Sequence, residues 1–324
     1  MKGTTYLLSV CLASVSGMTF AETMPASMDV KPLRLLVGYA PGSGADIVAR
    51  IIGQRLDAVY PKGVVVENKP GAGGVIASKD VAQSDADGYT MLMAAMPQMT
   101  ILPFISSVPY SVKSDFIPVS QVVATDLILI SSNKNADVNS LNDLIAFSKK
   151  RNSLFFGTPG PGTVGHFASY IYADSMNVDV EPIHYKSTGD QITGLQSGDI
   201  QAQFFSDVAA LPIVKAGVGV PVMSTGPVRS TFFPDVPTAK EMGHGNLELA
   251  SWYGIFAPAG TPESIVELVG TAIQDISKDP TYIAKMQESG LRITGAKRSE
   301  FNAILDGDTK KWQAVIQASG FKSN

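Results

Sequence analysis

A chain of 324 residues, 45% hydrophobic and 17% charged, is neither disordered nor fibrous, and it is long enough for two domains with a core each. Its 25 basic and 29 acidic residues give a net charge of −4, and no Lys/Arg block stands out, which argues against nucleic acid or an anionic membrane surface as the main partner. A small ligand is the better default.

The first residues read as a secretory signal. Lys2 supplies the positive end, Tyr6 to Ser16 a short apolar stretch and Thr19-Phe20-Ala21 a small-residue cleavage site, so residues 1–21 are expected to be removed and the mature chain to start at Glu22 in the periplasm. The apolar stretch falls short of the ~20 residues a spanning helix needs. Cys11 is the only cysteine, and Leu8-Ser9-Val10 before it lack the small residue expected beside a lipidated cysteine. With the signal gone, no disulfide or cysteine-bound metal is expected.

After residue 30, strands and helices alternate almost throughout, the pattern of α/β domains with largely parallel sheets. LRLLVGY breaks at Pro41-Gly42-Ser43-Gly44 and an amphipathic stretch opens at Asp46. A strand, a glycine loop and a helix N-terminus in that order leave backbone N–H groups and the positive helix end facing outward, where an anion is the natural occupant. VVVEN, the loop Lys69 to Gly74 and VIASKDVA form a second such unit, and Asp87-Gly88 turns the chain into the strand YTMLMAA. Further on, Ser140-Leu141-Asn142-Asp143 has capping spacing and starts a helix toward Lys150. SLFFG, VEPIHY, IQAQFF and GVPVMST are strands, with helices at Gly165 to Met176 and Gln191 to Gln196. A short helix follows at Thr238 to Met242, then a strand at Ser251 to Ala257, a helix capped by Thr261 ahead of Pro262, and helices Pro280 to Ser289 and Ser299 to Ala318. Those late elements hold too little sheet for a domain and are expected to cover the first one. The predicted organisation is lobe 1 from 30–124 and 228–324, with lobe 2, 125–227, inserted through two crossings that serve as a hinge.

Gly160-Pro161-Gly162-Thr163-Val164-Gly165 follows a strand and opens a helix, with Glu181 about twenty residues on, which fits a dinucleotide fingerprint as well as any anion site. Open α/β sheets bind beyond the carboxyl ends of their strands, which brings in Met96, Gln98, Lys186, Ser187, Thr188 and Asp207. Lys186 reads either as a partner for a second carboxylate or as a surface lysine, and Asp207 would suit an ammonium group. Asp46 reads as a helix-start acid or as pocket lining, His166 as a first-turn structural residue or a ligand contact. Gly71 to Gly74 reads as close packing or anion loop, and Met91, Met93, Met96 and Met99 as core or a soft pocket wall.

YAPGSGADIVAR, VVVENKPGAGG, ADGYTMLM, GTPGPGTVGH, FFPDVPTAKEMG and SWYGIFAPAGTPESIV, in this order, resemble the periplasmic solute receptors of tripartite tricarboxylate transporters, the Bug family. The resemblance spans nearly the whole chain after residue 30. It implies a two-lobed α/β periplasmic-binding-protein (Venus flytrap) fold, no cofactor, a small carboxylate held between the lobes, and transporter membrane subunits as partners of a monomer. The implied ligand contacts are Tyr39, Pro41, Gly42, Ser43, Gly44 and Asp46 from one loop and Thr158, Gly160, Gly162, Thr163, Val164 and His166 from the other. Ser43 and Lys69 depart from the glycine and arginine usual in the family. No G-x-S-x-G or H-E-x-x-H occurs, and the three histidines, His166, His184 and His244, are far apart in sequence, so an enzyme is unsupported. A periplasmic sensor subunit needs the same cleft and stands as the alternative.

Overall fold

The computed structural model describes residues 28–135, 137–151, 153–185 and 187–321. The predicted signal segment with Cys11, and also Lys186, lie outside the described residues.

The first section builds β1 (Leu33–Val37), α1 (Gly44–Gly53), β2 (Val64–Asn68), α2 (Val75–Ala82) and β3 (Thr90–Ala95), followed by the short helices α3 (Met96–Thr100), α4 (Leu102–Ile105) and α5 (Val112–Asp115). One long strand, β4 (Phe116–Ser132), leads into α6 (Leu141–Lys149), β5 (Leu154–Thr158), α7 (Val164–Met176), β6 (Val180–His184), α8 (Thr188–Ser197), β7 (Ala202–Ser206), α9 (Asp207–Lys215) and β8 (Gly219–Ser224). The chain then returns through β9 (Ala250–Pro258), α10 (Glu263–Ile276), α11 (Pro280–Glu288), β10 (Arg292–Ala296) and α12 (Arg298–Ser319).

β4 is central to two sheets. Along Phe116 to Asp126 it pairs antiparallel with β9, and β10 lies on its other edge, Ala124 facing both Trp252 and Arg292. Along Leu127 to Ser132 its neighbours are β7 and β8, Ile128 facing both Phe205 and Ser224. The first sheet continues from β9 through β3 and β1 to β2, and the second from β7 through β5 to β6. The chain changes sheets inside β4 and comes back at Thr225, whose N–H donates to Leu127 O (2.8 Å) and whose carbonyl accepts from Leu249 N (3.1 Å). This is a two-lobed α/β fold with the second lobe inserted into the first.

Side-chain caps open five of the helices, α1, α6, α7, α8 and α11. Ser140 Oγ accepts from Asp143 N at 3.2 Å, the cap its spacing predicts. Elsewhere the expectations need correction. Thr238 to Met242 is a turn: Thr238 Oγ1 and the Glu241 carboxylate exchange cap-like bonds (3.1 and 2.8 Å), but Gly243, with φ +83°, ends it after one turn. Thr261 does not cap α10, because its hydroxyl donates back to Pro258 O at 2.8 Å.

One apolar cluster occupies the faces of sheet one and sheet two that α12 and α7 cover, running without a break from Leu92 and Phe256 through Phe301, Trp312 and Phe167 to Phe156. The other face of sheet one packs on α1 and α10, that of sheet two on α8 and α9. The last helix therefore does more than cover the first lobe. Phe301 packs on Trp252 (5.0 Å between ring centres) and Phe256 (5.2 Å) over sheet one, whereas Trp312 reaches Phe167 of α7 at 6.3 Å. Phe301 is fully buried, so Phe301→Ala is expected to cost about 3–5 kcal/mol in urea unfolding with little change in m-value; a loss under about 1 kcal/mol would show that α12 is not anchored there.

Candidate functional site

The register of β4 sets the site. β3 is antiparallel to β9 and β9 to β4, so β3 and its parallel neighbour β1 run with β4 toward the second sheet. β7 is antiparallel to β4, so β7, β5 and β6 run back toward the first. The carboxyl ends of both sets of parallel strands thus face each other. Ala95 ends β3 at the level of Tyr253 and Val123, and Ser206 ends β7 opposite Leu127. Four residues of β4 separate those levels, about 13 Å of strand, which is the scale of a small organic acid.

The loops that leave the neighbouring strands β1 and β5 share one construction. In Pro41-Gly42-Ser43-Gly44-Ala45-Asp46, Ser43 Oγ accepts from Asp46 N (3.4 Å) while Asp46 Oδ2 folds back to accept from Gly42 N (2.9 Å). In Pro161-Gly162-Thr163-Val164-Gly165-His166, Thr163 Oγ1 accepts from His166 N (3.3 Å) and His166 Nδ1 accepts from Gly162 N (3.1 Å). Gly42 and Gly162 sit at φ +82° and +74°, a conformation that glycine adopts without strain. Asp46 and His166 are thus matching structural acceptors. Among the described residues, the N–H groups of Gly44, Ala45, Val164 and Gly165 find no partner.

The two acceptors differ in charge. Burial of Asp46 opposes ionisation, but the Arg50 guanidinium, the Gly42 N–H and the Asn68 amide together hold its carboxyl below the usual range. Burial, and then the neighbouring His184 ring, push His166 down to about 4, so it is neutral at pH 7. Because Gly162 donates to Nδ1, the hydrogen-bond pattern assigns the proton to Nε2. Burial also lowers His184, whose Nδ1 lies 2.6 Å from Thr158 Oγ1.

Other predicted residues fall variously. Pro41 and Gly42 stand exposed at the first loop's tip, and Tyr39 donates to Gly73 O at 3.2 Å. Gly44 faces the Tyr253 hydroxyl, only 2.5 Å from where a Cβ would sit. Thr158 and Gly160 join through Gly160 N donating to Thr158 Oγ1 (3.3 Å), and Val164 opens α7 half-buried. Ser187 caps α8 by accepting from Asp190 N (3.1 Å), beside exposed Thr188. Met96 and Gln98 turn inward, against expectation. Gln98 is fully buried, donating to Gly74 O (3.0 Å) and Ser78 Oγ (2.5 Å) and accepting from Ala95 N (3.3 Å), which uses its amide to tie β3 to the glycine loop before α2. Met91, Met93, Met96 and Met99 are all core, and a Cβ on Gly38 would collide with Gly74 backbone, the close packing that the glycine loop permits.

Asp207 lies with Asp126, Arg292 and Ser230 along a groove of about 540 Å³ between the lobes, apart from the two loops. Burial first, and the Asp126 charge, raise it to about 6. Arg292 is already engaged by both Asp126 oxygens at 3.0 Å. Glu181 pairs with Phe155, three residues short of the carboxyl end of β6 at His184; a ribose-binding acid in a dinucleotide fold stands at a strand end, so the glycine pattern alone does not make a dinucleotide site. Among the described residues no group of three or more His, Cys, Asp or Glu side chains is placed to hold a metal ion, and no helix is long and apolar enough to cross a membrane. Tyr253, Ile105 and Phe321 reach the loops without having been expected: a Cβ on Gly162 would lie 2.7 Å from Ile105 Cδ1 and 4.0 Å from Phe321 Cε1.

A sequence model described as the tripartite tricarboxylate transporter family receptor matches residues 48–321. Protein BugT of Bordetella pertussis is 28% identical over 316 residues, covering 97% of this chain and 95% of that one. Rpa4515 of R. palustris, solved with adipate, is 26% identical with a TM-score of 0.75, covering 91% of this chain and 99% of that one. A structure described as a periplasmic transporter is 28% identical with a TM-score of 0.74, covering 90% and 98%.

The depressed His166 value has a consequence for stability. As pH falls from 6.5 toward 4, the unfolded chain takes up a proton at this residue that the folded chain does not, so stability declines through that window and levels below it. His166→Asn keeps an oxygen acceptor for Gly162 N–H but cannot titrate. Urea unfolding at pH 7 and pH 4.5 is expected to show a pH-dependent loss smaller by an order of 2 kcal/mol in the variant; equal losses in both proteins would mean that His166 is not held neutral.

Proposed function

We propose, from the premise that the chain belongs to the tripartite tricarboxylate transporter family of receptors, that it captures a small carboxylate between its lobes and presents it to the membrane subunits of such a transporter. The family is one of periplasmic solute-binding proteins. The observation that carries the reading is the pair of matching loops at opposed strand ends, each offering free backbone N–H groups at a helix start.

Gly44 and Ala45 on one side, Val164 and Gly165 on the other, are the proposed donors, with the Ser43 hydroxyl and ordered water completing the shell around the anion, while the Thr163 hydroxyl stays committed to Gly160 O at 2.7 Å. Each helix start contributes about 0.3–2 kcal/mol toward a negative group. A dicarboxylate, aliphatic or aromatic, fits two such starts, and the adipate in Rpa4515 supports that class. Under this reading lobe 1 comprises 30–124 and 228–324, lobe 2 comprises 125–227, the receptor is a monomer and it leaves its ligand chemically unchanged.

The test is a thermal-shift and calorimetric screen of residues 22–324 against adipate, succinate, citrate, terephthalate, benzoate, glutamate and NAD. A ligand at a hundred times its dissociation constant is expected to stabilise the fold by about 2.7 kcal/mol and to be recovered intact. Gly162→Val forces a branched side chain toward Ile105 at a left-handed position, and is expected to weaken binding at least about tenfold. A response to NAD alone, or consumption of the ligand, would overturn the receptor reading.

A further inference from the structure

The loop at Gly160 to His166 is enclosed by parts of the molecule remote from it in sequence. α12 has 22 residues and is about 33 Å long. It rests on sheet one through Phe301 and on α7 through Trp312. The segment just beyond it brings the Phe321 ring edge-on to His166 (5.4 Å between ring centres) and to Phe167 (5.7 Å). The His166 imidazole is hemmed in by Phe167 (5.2 Å), Tyr170 (5.0 Å) and His184 (4.8 Å, edge-on) from its own lobe. Phe321 is the one of these four rings that arrives on a helix anchored in the other sheet.

An imidazole accepts the Gly162 N–H only while its Nδ1 edge faces the loop. Rotation of the ring by half a turn would present carbon there instead and leave that N–H unpaired, while Thr163 would go on accepting from His166 N. Ring orientation therefore decides whether the left-handed Gly162, two residues ahead of Val164 at the helix start, keeps its hydrogen bond. The matching loop of the first lobe has no such dependence, because Asp46 is fixed by Arg50 and Asn68 of its own lobe and a carboxylate accepts from either oxygen.

We propose that Phe321 is a positioning residue for the second ligand loop, holding the His166 ring in the orientation that fixes Gly162 and coupling that loop to α12. Its expected effect on ligand affinity rests on the receptor reading, but the positioning itself is measurable without ligand.

The experiment compares amide hydrogen exchange and side-chain ¹⁵N spectra of His166 in the full mature chain and in Phe321→Ala, with Gly42 as the internal control. Global loosening would speed Gly42 and Gly162 together. Loss of positioning is expected to speed Gly162 exchange about tenfold relative to Gly42, to broaden or mix the Nε2–H tautomer signal, and to be reversed in Phe321→Tyr, which restores the ring. Adipate affinity, where adipate binds the parent protein, is expected to fall by about the same factor. Should Phe321→Ala fail to fold, Phe321→Leu is read in the same way and is expected to give a smaller acceleration of Gly162. Equal Gly162/Gly42 exchange ratios and an unchanged tautomer pattern in the folded variant would overturn the proposal, whether or not adipate binds.

Discussion

The structure depends on one strand being shared. β4 is hydrogen-bonded on both edges in each sheet, so the direction in which one sheet's parallel strands run fixes that of the other. Opposed carboxyl ends follow from this without further contacts between the loops themselves. Breaking the strand would cost ladder bonds on two sides at once, and nearly all its side chains are buried, so the crossing inside β4 is among the most constrained parts of the chain. A receptor needs such a combination: a fixed reference from which two lobes approach one small molecule.

On that reference the two loops solve the same local problem with different chemistry. A glycine in the left-handed region exposes its N–H, and a side chain four residues on must accept it. Aspartate does so as an anion compensated by Arg50, and histidine as a neutral ring held by aromatic neighbours. Neither solution leaves net side-chain charge at the helix start, which suits recognition of a carboxylate by backbone N–H groups. A free lysine there would attract anions as a point charge, with less regard for their shape.

Much of this was legible in the sequence, because strand, glycine loop and capped helix are local patterns. The units around Pro41 and Gly162 are of that kind, as is the cap at Ser140. β4 was not legible: its run from Phe116 to Ser132 is buried on both faces, so it lacks the alternation that marks a half-exposed strand. Gln98 and Met96 follow a strand end and read as pocket residues, yet the glycine loop at Gly71 to Gly74 packs so closely that Gln98 is drawn under it. Asp207 also follows a strand end, but the Asp126–Arg292 pair beside it was invisible, the two residues being 166 positions apart. The shared loop motif, Pro-Gly-Ser/Thr with Asp or His three residues after the hydroxyl, lies openly in the sequence. Its role in accepting a glycine N–H emerges only from the folded geometry.

The two loops also differ in which parts of the molecule hold them. Every bond that fixes Asp46 comes from residues 42–68, within one βαβ unit. The second loop, by contrast, meets Ile105 of α4 and Phe321 beyond α12, both reached from the first sheet. Its geometry is thus conditional on how the lobes adjoin, whereas that of the first is not. That asymmetry has thermodynamic content: the contacts of the second loop with α4 and with the segment beyond α12 add to the stability of the arrangement in which the lobes meet, whereas the bonds of the first loop are independent of it. The continuous apolar cluster through Phe301, Trp312 and Phe167 holds the two sheets to that arrangement.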